Sequence, residues 1–181
     1  MFPAAVRHPD GYDLAGLSIP RMQIAGDLYT WRIGDRFIDM TLVDVMGQGT
    51  AAAILAAGVR SAFHARADEP PAEFVDAGHG LTVLIRADGS FQRLASRGLP
   101  LGISEGGGWL TQTVGLVPGD SLVSFTDGVL DLYDGTLHSL TQATDLVGAS
   151  ASTDEFFSAV RLLAASGQAT DDITVLVVTR T

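Results

Sequence analysis

The chain has no cysteine, so neither a disulfide framework nor a thiolate nucleophile nor a Cys/His zinc site is available to it. Positive charge is scarce too. Eleven Lys and Arg stand against twenty-one Asp and Glu, a net charge of −10, which argues against a nucleic-acid partner needing a basic footprint. No apolar run is long enough to span a bilayer, and Met1 to Arg7 lacks a basic-then-apolar signal pattern, so a soluble cytoplasmic protein is expected. No Walker A sequence and no nucleophile elbow occur.

What is present is a core-forming composition, 46% hydrophobic and 18% charged over 181 residues, which fits a single domain spanning 1–181. Twenty-one glycines suit a strand-rich fold with many tight turns. Strands are expected over Gln23 to Arg32 and Phe37 to Val45, joined at Gly34-Asp35, and over Leu81 to Ala87 and Phe91 to Ala95, joined at Asp88-Gly89. Trp109 to Val114, Ser121 to Phe125 and Ile173 to Thr179 complete the set, the last too apolar on both faces for an exposed edge. Helices are expected from Ala51 to about Ala65 behind a Thr50 cap, with Leu55, Val59 and Phe63 as an apolar stripe, and behind a Thr153 cap, with Phe156, Phe157, Val160 and Leu163. Ser139 to Val147 reads as a shorter one.

Four short acidic motifs carry the chemistry: Ala25-Gly26-Asp27, Val43-Asp44-Val45-Met46-Gly47, Phe125-Thr126-Asp127-Gly128, and Thr170-Asp171-Asp172-Ile173-Thr174. Aspartates at strand ends that converge can hold hard cations through oxygen, with backbone carbonyls such as that of Val45 completing the shell. Each motif alone has an ordinary alternative: a helix-entry turn at Asp44, a type I turn at Asp127, a solvated junction at Asp171-Asp172, a strand terminus at Asp27. His79, in Asp76-Ala77-Gly78-His79-Gly80, reads first as a loop-bonding histidine and only secondarily as a substrate contact.

Taken in order, the motifs resemble the bacterial SpoIIE/RsbU-like branch of the PPM (PP2C-type) metal-dependent protein phosphatases. Ile24-Ala25-Gly26-Asp27-Leu28-Tyr29 resembles that family's Gly-Gly-Asp-aromatic-Tyr opening. Val43 to Gly49 resembles its Asp-Val-x-Gly-His-Gly element, and Asp76 to Gly80 its Asn-Ala-Gly-His turn. Gly98-Leu99-Pro100-Leu101-Gly102, Pro118-Gly119-Asp120 and the last two acidic motifs complete the match.

The resemblance implies an α+β fold, the αββα sandwich of two antiparallel sheets flanked by helices. It implies a centre of two Mn²⁺ or Mg²⁺ ions and a water activated between them. Asp44 would bridge the ions, with the Val45 carbonyl on one of them and Asp127 and Asp171 on the other. Asp27 would hold metal-bound water or bind the second ion directly, and Asp172 would stand behind the ligands. The implied reaction is hydrolysis of phosphoserine or phosphothreonine, on a STAS-type anti-sigma-factor antagonist in partner-switching signalling.

Two departures are visible. Gln48 stands where relatives commonly have histidine, and the chain runs from the first helix through Pro70-Pro71-Ala72-Glu73-Phe74 straight to Val75, where relatives place a further helix and strands. The expected fold is therefore a reduced version, whose uncovered apolar flank favours a homodimer. That reduction also keeps a second function open, a weakly active or inactive partner-binding module. A different metal-dependent phosphoester hydrolase is the third.

Overall fold

The computed structural model describes residues 6–8, 11–34, 37–47, 49–65, 75–96, 98–103, 109–166 and 169–181. The expected features at Asp35, at Gln48 and across Pro70 to Phe74 lie outside them.

Among the described residues eight strands form two antiparallel sheets. Strands β1 (Val6–His8), β2 (Tyr12–Ile19), β5 (Thr82–Ile85), β6 (Phe91–Leu94), β7 (Ser121–Phe125) and β8 (Ile173–Arg180) make the larger one, in the order β1-β2-β8-β7-β5-β6. Strands β3 (Leu28–Ile33) and β4 (Ile38–Val43) pair as a separate hairpin, with Leu28 opposite Val43. Strand β8 lies between β2 and β7, and its residues Ile173 to Val178 are all buried, as its two-sided apolar pattern requires.

Alternation along β8 divides the core. Ile173, Val175 and Val177 join Val83, Val123 and Phe125 under α2 (Leu137–Ala149) and α3 (Thr153–Ala164), which contribute Leu140, Ala143, Phe156, Phe157 and Val160. The opposite face meets the β3–β4 hairpin. There the Tyr29 ring occupies the space above Gly16, where an added Cβ would come within 2.2 Å of it, and its hydroxyl donates to the Gly16 carbonyl at 2.9 Å. Helix α1 (Thr50–Ala65) covers the outside of that hairpin, with Thr30 Oγ1 and His64 Nε2 2.9 Å apart. The layers are thus α1, the hairpin, the large sheet and the α2–α3 pair, the αββα order.

Several expectations need correction. Trp109 to Val114 forms no regular strand; Trp109 instead lies over Gly98, and its Nε1 donates to the Leu99 carbonyl at 2.8 Å. Strands β1 and β2 were not anticipated. The buried face of α1 is Ala52 and Ala56, while Leu55 is 61% exposed, because a helix lying this close to a sheet is selected for small side chains. The side chain of Phe63 lies outside the described residues. Helix α3 is capped by Ser152 rather than Thr153: Ser152 accepts from the Glu155 N–H, and Glu155 reaches back to accept from Ala151. Helix α2 begins at Leu137 behind a Thr136 cap, two residues before the expected start.

Candidate metal centre

All four acidic motifs arrive at one rim of the two sheets. Asp27 immediately precedes β3 and Asp44 immediately follows β4, so the antiparallel hairpin delivers both at the same end. Asp127 follows β7 and opens a short 3-10 helix (Asp127–Leu132), while Asp171 and Asp172 precede β8. Because β7 and β8 are antiparallel, these too share an end. Two of the motifs therefore precede their strands rather than end them.

The junctions are tightly fixed. Thr126, buried at the end of β7, donates its N–H to the Thr174 carbonyl at 2.9 Å, and its hydroxyl accepts from the Thr174 N–H at 2.8 Å. One residue on, a Cβ at Gly128 would lie 2.0 Å from the Asp172 carbonyl oxygen, so only glycine lets the two acidic motifs touch. Asp172 itself is buried and fully used: its Oδ1 accepts from the Arg21 N–H at 2.8 Å and its Oδ2 from the Gly26 N–H at 2.6 Å. It ties the loop carrying Asp27 to β8. Gly26 packs against Ala52 and lies beside the Val45 and Gly47 carbonyls, which brings the Asp27 and Asp44 motifs together.

The electrostatics follow from the crowding. Burial pushes the Asp27 carboxyl up to about 8, with the negative charges of Asp44 and Asp172 adding to the rise and the Thr126 and Thr174 hydroxyls opposing it. Its Oδ2 is buried without a hydrogen-bond partner. Burial and the neighbouring charge of Asp127 push Asp44 up to about 6, with Asp171 and Asp172 contributing and His79 opposing. Carboxylates that resist ionising together, one of them with an orphaned oxygen, match the donor chemistry of a hard divalent cation.

His79 is the residue whose place sequence reasoning underrated. Its Nε2 lies 3.6 Å from Asp44 Oδ2, and donor atoms of Asp44, His79 and Asp127 all fall within 4.8 Å of one another. The turn bearing it is held by buried Asp76, which accepts from the His79 and Gly80 N–H groups at 2.9 and 2.7 Å. Gly78, at φ 105°, presses against Pro100. The Ala-Gly-His turn was the available signal.

The fold is of the PP2C type. The chain belongs to the family of Stage II sporulation protein E (SpoIIE), whose model matches residues 68–181. Similar solved structures include the PP2C domain of SpoIIE from Bacillus subtilis, with a TM-score of 0.75 and 16% identity over 98% of this chain and 64% of that one. The RsbU and RsbW domains of Rv1364c from Mycobacterium tuberculosis give 0.72 and 23% identity over 99% of this chain and 62% of that one. RsbX, solved with magnesium, gives 0.73 and 14% identity over 98% of both chains. A shorter likeness is to the probable RNA 2′-phosphotransferase of Escherichia coli (strain K12 / MC4100 / BW2952), 40% identical over 79 residues. That match spans 44% of this chain and 37% of that protein. Among the described residues no helix is long and apolar enough to cross a membrane.

Proposed function

We propose that this chain is a metal-dependent serine/threonine protein phosphatase that hydrolyses phosphoserine or phosphothreonine on a STAS-type anti-sigma-factor antagonist, in cytoplasmic partner-switching signalling. The observation that carries this reading is the convergence of Asp27, Asp44, Asp127 and Asp171 on one rim, with a buried, unpartnered oxygen on Asp27. Family membership and the names of the similar structures, RsbX with magnesium among them, support the same reading.

In this reading Asp44, Asp127, Asp171 and the Val45 carbonyl would hold Mn²⁺ or Mg²⁺ ions, with Asp44 shared between two of them, and Asp27 would hold an ion directly or through water. When bound, the ions neutralise charge on the phosphoryl group and acidify a water for in-line attack. The chain's own part is to hold the four carboxylates where their mutual repulsion is relieved only by cations. Asp172, Thr126 and Gly128 fix the spacing of the motifs and touch no substrate. The crowded centre has no need of a side-chain nucleophile, and none is assigned.

A second reading, a partner-binding module of low activity, is supported by the outward face of α1, where Ile54 and Leu55 are 66% and 61% exposed. The same face is the proposed contact of a homodimer.

The test is hydrolysis of a phosphoserine peptide and of p-nitrophenyl phosphate with Mn²⁺, Mg²⁺ or EDTA, beside Asp44→Asn and Asp127→Asn. Metal-dependent turnover that falls by about 100-fold or more in both variants establishes the phosphatase. Folded protein that binds Mn²⁺ without turnover favours the binding module. Turnover confined to dinucleotide or RNA 2′-phosphate substrates would place the chain among other phosphoester hydrolases.

A further inference from the structure

We infer that His79 is a nitrogen ligand of the metal centre, so that the site is a mixed nitrogen and oxygen one that prefers Mn²⁺ to Mg²⁺. This rests on the metal-centre reading above and adds to it a donor outside the aspartate set.

The geometry is the first support. Donors bound to one ion at about 2.1 Å lie about 3.0 Å apart when adjacent and about 4.2 Å apart when opposite. His79 Nε2 and Asp44 Oδ2, at 3.6 Å, fall between those limits, and at that separation they make no hydrogen bond with each other. Asp127 supplies a third donor atom, the three lying within 4.8 Å of one another, a spread that a bound ion would have to draw in slightly.

The setting is the second. Asp27, 5% exposed, sits beside Asp44 with an oxygen that no protein group satisfies, which marks the cluster as a place for a cation rather than a chance meeting of acids.

The third is rigidity. Two N–H bonds to Asp76, a third from the Gly78 N–H to Ser96 Oγ at 3.0 Å and the Gly78–Pro100 contact fix the turn before any ion arrives. A loop histidine with a merely structural role would spend its ring on the loop, whereas this ring is directed to Asp44.

The chemical consequence is selectivity. Carboxylate and carbonyl oxygens suit Mg²⁺ and Mn²⁺ alike, and a neutral imidazole adds affinity for first-row transition ions far more than for Mg²⁺.

The experiment is pulsed electron paramagnetic resonance of the full chain loaded with Mn²⁺, together with Mn²⁺ and Mg²⁺ titrations by calorimetry, on wild type, His79→Ala, His79→Asp and Asp44→Asn. Wild type is expected to show ¹⁴N modulation from a directly bound imidazole, which both His79 variants lose. His79→Ala is expected to lower Mn²⁺ affinity about tenfold and Mg²⁺ affinity less than about threefold. His79→Asp is expected to keep Mg²⁺ binding and lose the preference for Mn²⁺. Mn²⁺ bound in wild type without ¹⁴N modulation, or an unchanged Mn²⁺ to Mg²⁺ ratio in His79→Ala, overturns the inference while leaving the centre standing. Failure of wild type to bind Mn²⁺, or binding unaffected by Asp44→Asn, overturns the metal-centre reading and this inference with it.

Discussion

Two buried aspartates, Asp120 just before β7 and Asp27 just before β3, are treated in opposite ways. Asp120, 1% exposed, accepts from Arg86 Nη1 at 2.6 Å, the Ala87 N–H at 3.1 Å and the Val117 N–H at 3.0 Å. The Val117 bond first, then those from Arg86 and Ala87, hold its carboxyl below the ordinary value. At the far rim Asp27 is 5% exposed, keeps an oxygen without a partner, and is pushed up to about 8 chiefly by burial. Burying a carboxylate costs several kcal/mol unless donors replace its water. One rim meets that cost with protein groups; the other leaves an oxygen without a partner. The contrast separates a carboxylate that the fold satisfies from one that it leaves with an open oxygen. Asp172 sharpens it, since it sits within the acidic rim and is nonetheless satisfied by two backbone N–H groups.

The largest effect is expected where the donors would be stranded. Asp120→Ala strands two N–H groups and leaves Arg86 Nη1 with only the Gly115 carbonyl, and should cost about 2–4 kcal/mol in urea unfolding, the partial exposure of Arg86 limiting the loss. Metal affinity should not move. If it falls, the two rims are coupled and the contrast fails.

Next comes the cation. Mn²⁺ at about 100 times its dissociation constant should stabilise the folded chain by about 2.7 kcal/mol, seen as a rise in melting temperature that EDTA reverses. Asp120→Ala should show the same increment from its lower baseline.

Asp27→Asn should give a smaller gain in the metal-free protein. A carboxyl whose folded pKa is raised from 3.8 to about 8 binds more protons folded than unfolded across that interval. Stability therefore declines as pH rises from about 4 to about 8, and removing the charge restores it. Urea unfolding in EDTA should show Asp27→Asn more stable by about 1–3 kcal/mol at pH 8 and equal to wild type near pH 4. A variant less stable at pH 8 would mean that donors around Asp27 satisfy it after all.

How much of this the chain announced depends on where the signal resided. Strands β5, β7 and β8 and the Asp-Gly turn were legible because local pattern and tertiary role agree; Gly89 has φ 83°, the conformation that the turn needs. Strand β2 was not, because Gly16 weakens a strand pattern and is there to admit the Tyr29 ring, a partner outside its own segment. The aspartates were legible as a set, whereas the division of labour between Asp171 and Asp172 was settled only as an expectation. Asp172 faces the N–H groups of Arg21 and Gly26, about 150 residues away in sequence, and no local pattern encodes that. His79 was underrated for the same reason, since its distance to Asp44 is a property of the fold.

The smallest effect concerns the outer face of α1. Sequence periodicity placed Leu55 inward, yet the helix meets its hairpin through Ala52 and Ala56, and Ile54 and Leu55 point away. A leucine 61% exposed loses little on replacement, so Leu55→Lys should change the stability of the monomer by no more than about 0.5 kcal/mol. Sedimentation velocity gives the same substitution a second meaning. If α1 is the contact of a homodimer, Leu55→Lys shifts wild-type dimers to monomers at equal concentration, because a charge then enters an apolar interface on both sides of the two-fold axis. If wild type and variant sediment alike as monomers, the face is ordinary exposed surface and the homodimer is removed from the functional proposal. Stability lost by several kcal/mol would mean instead that the chain covers this face itself.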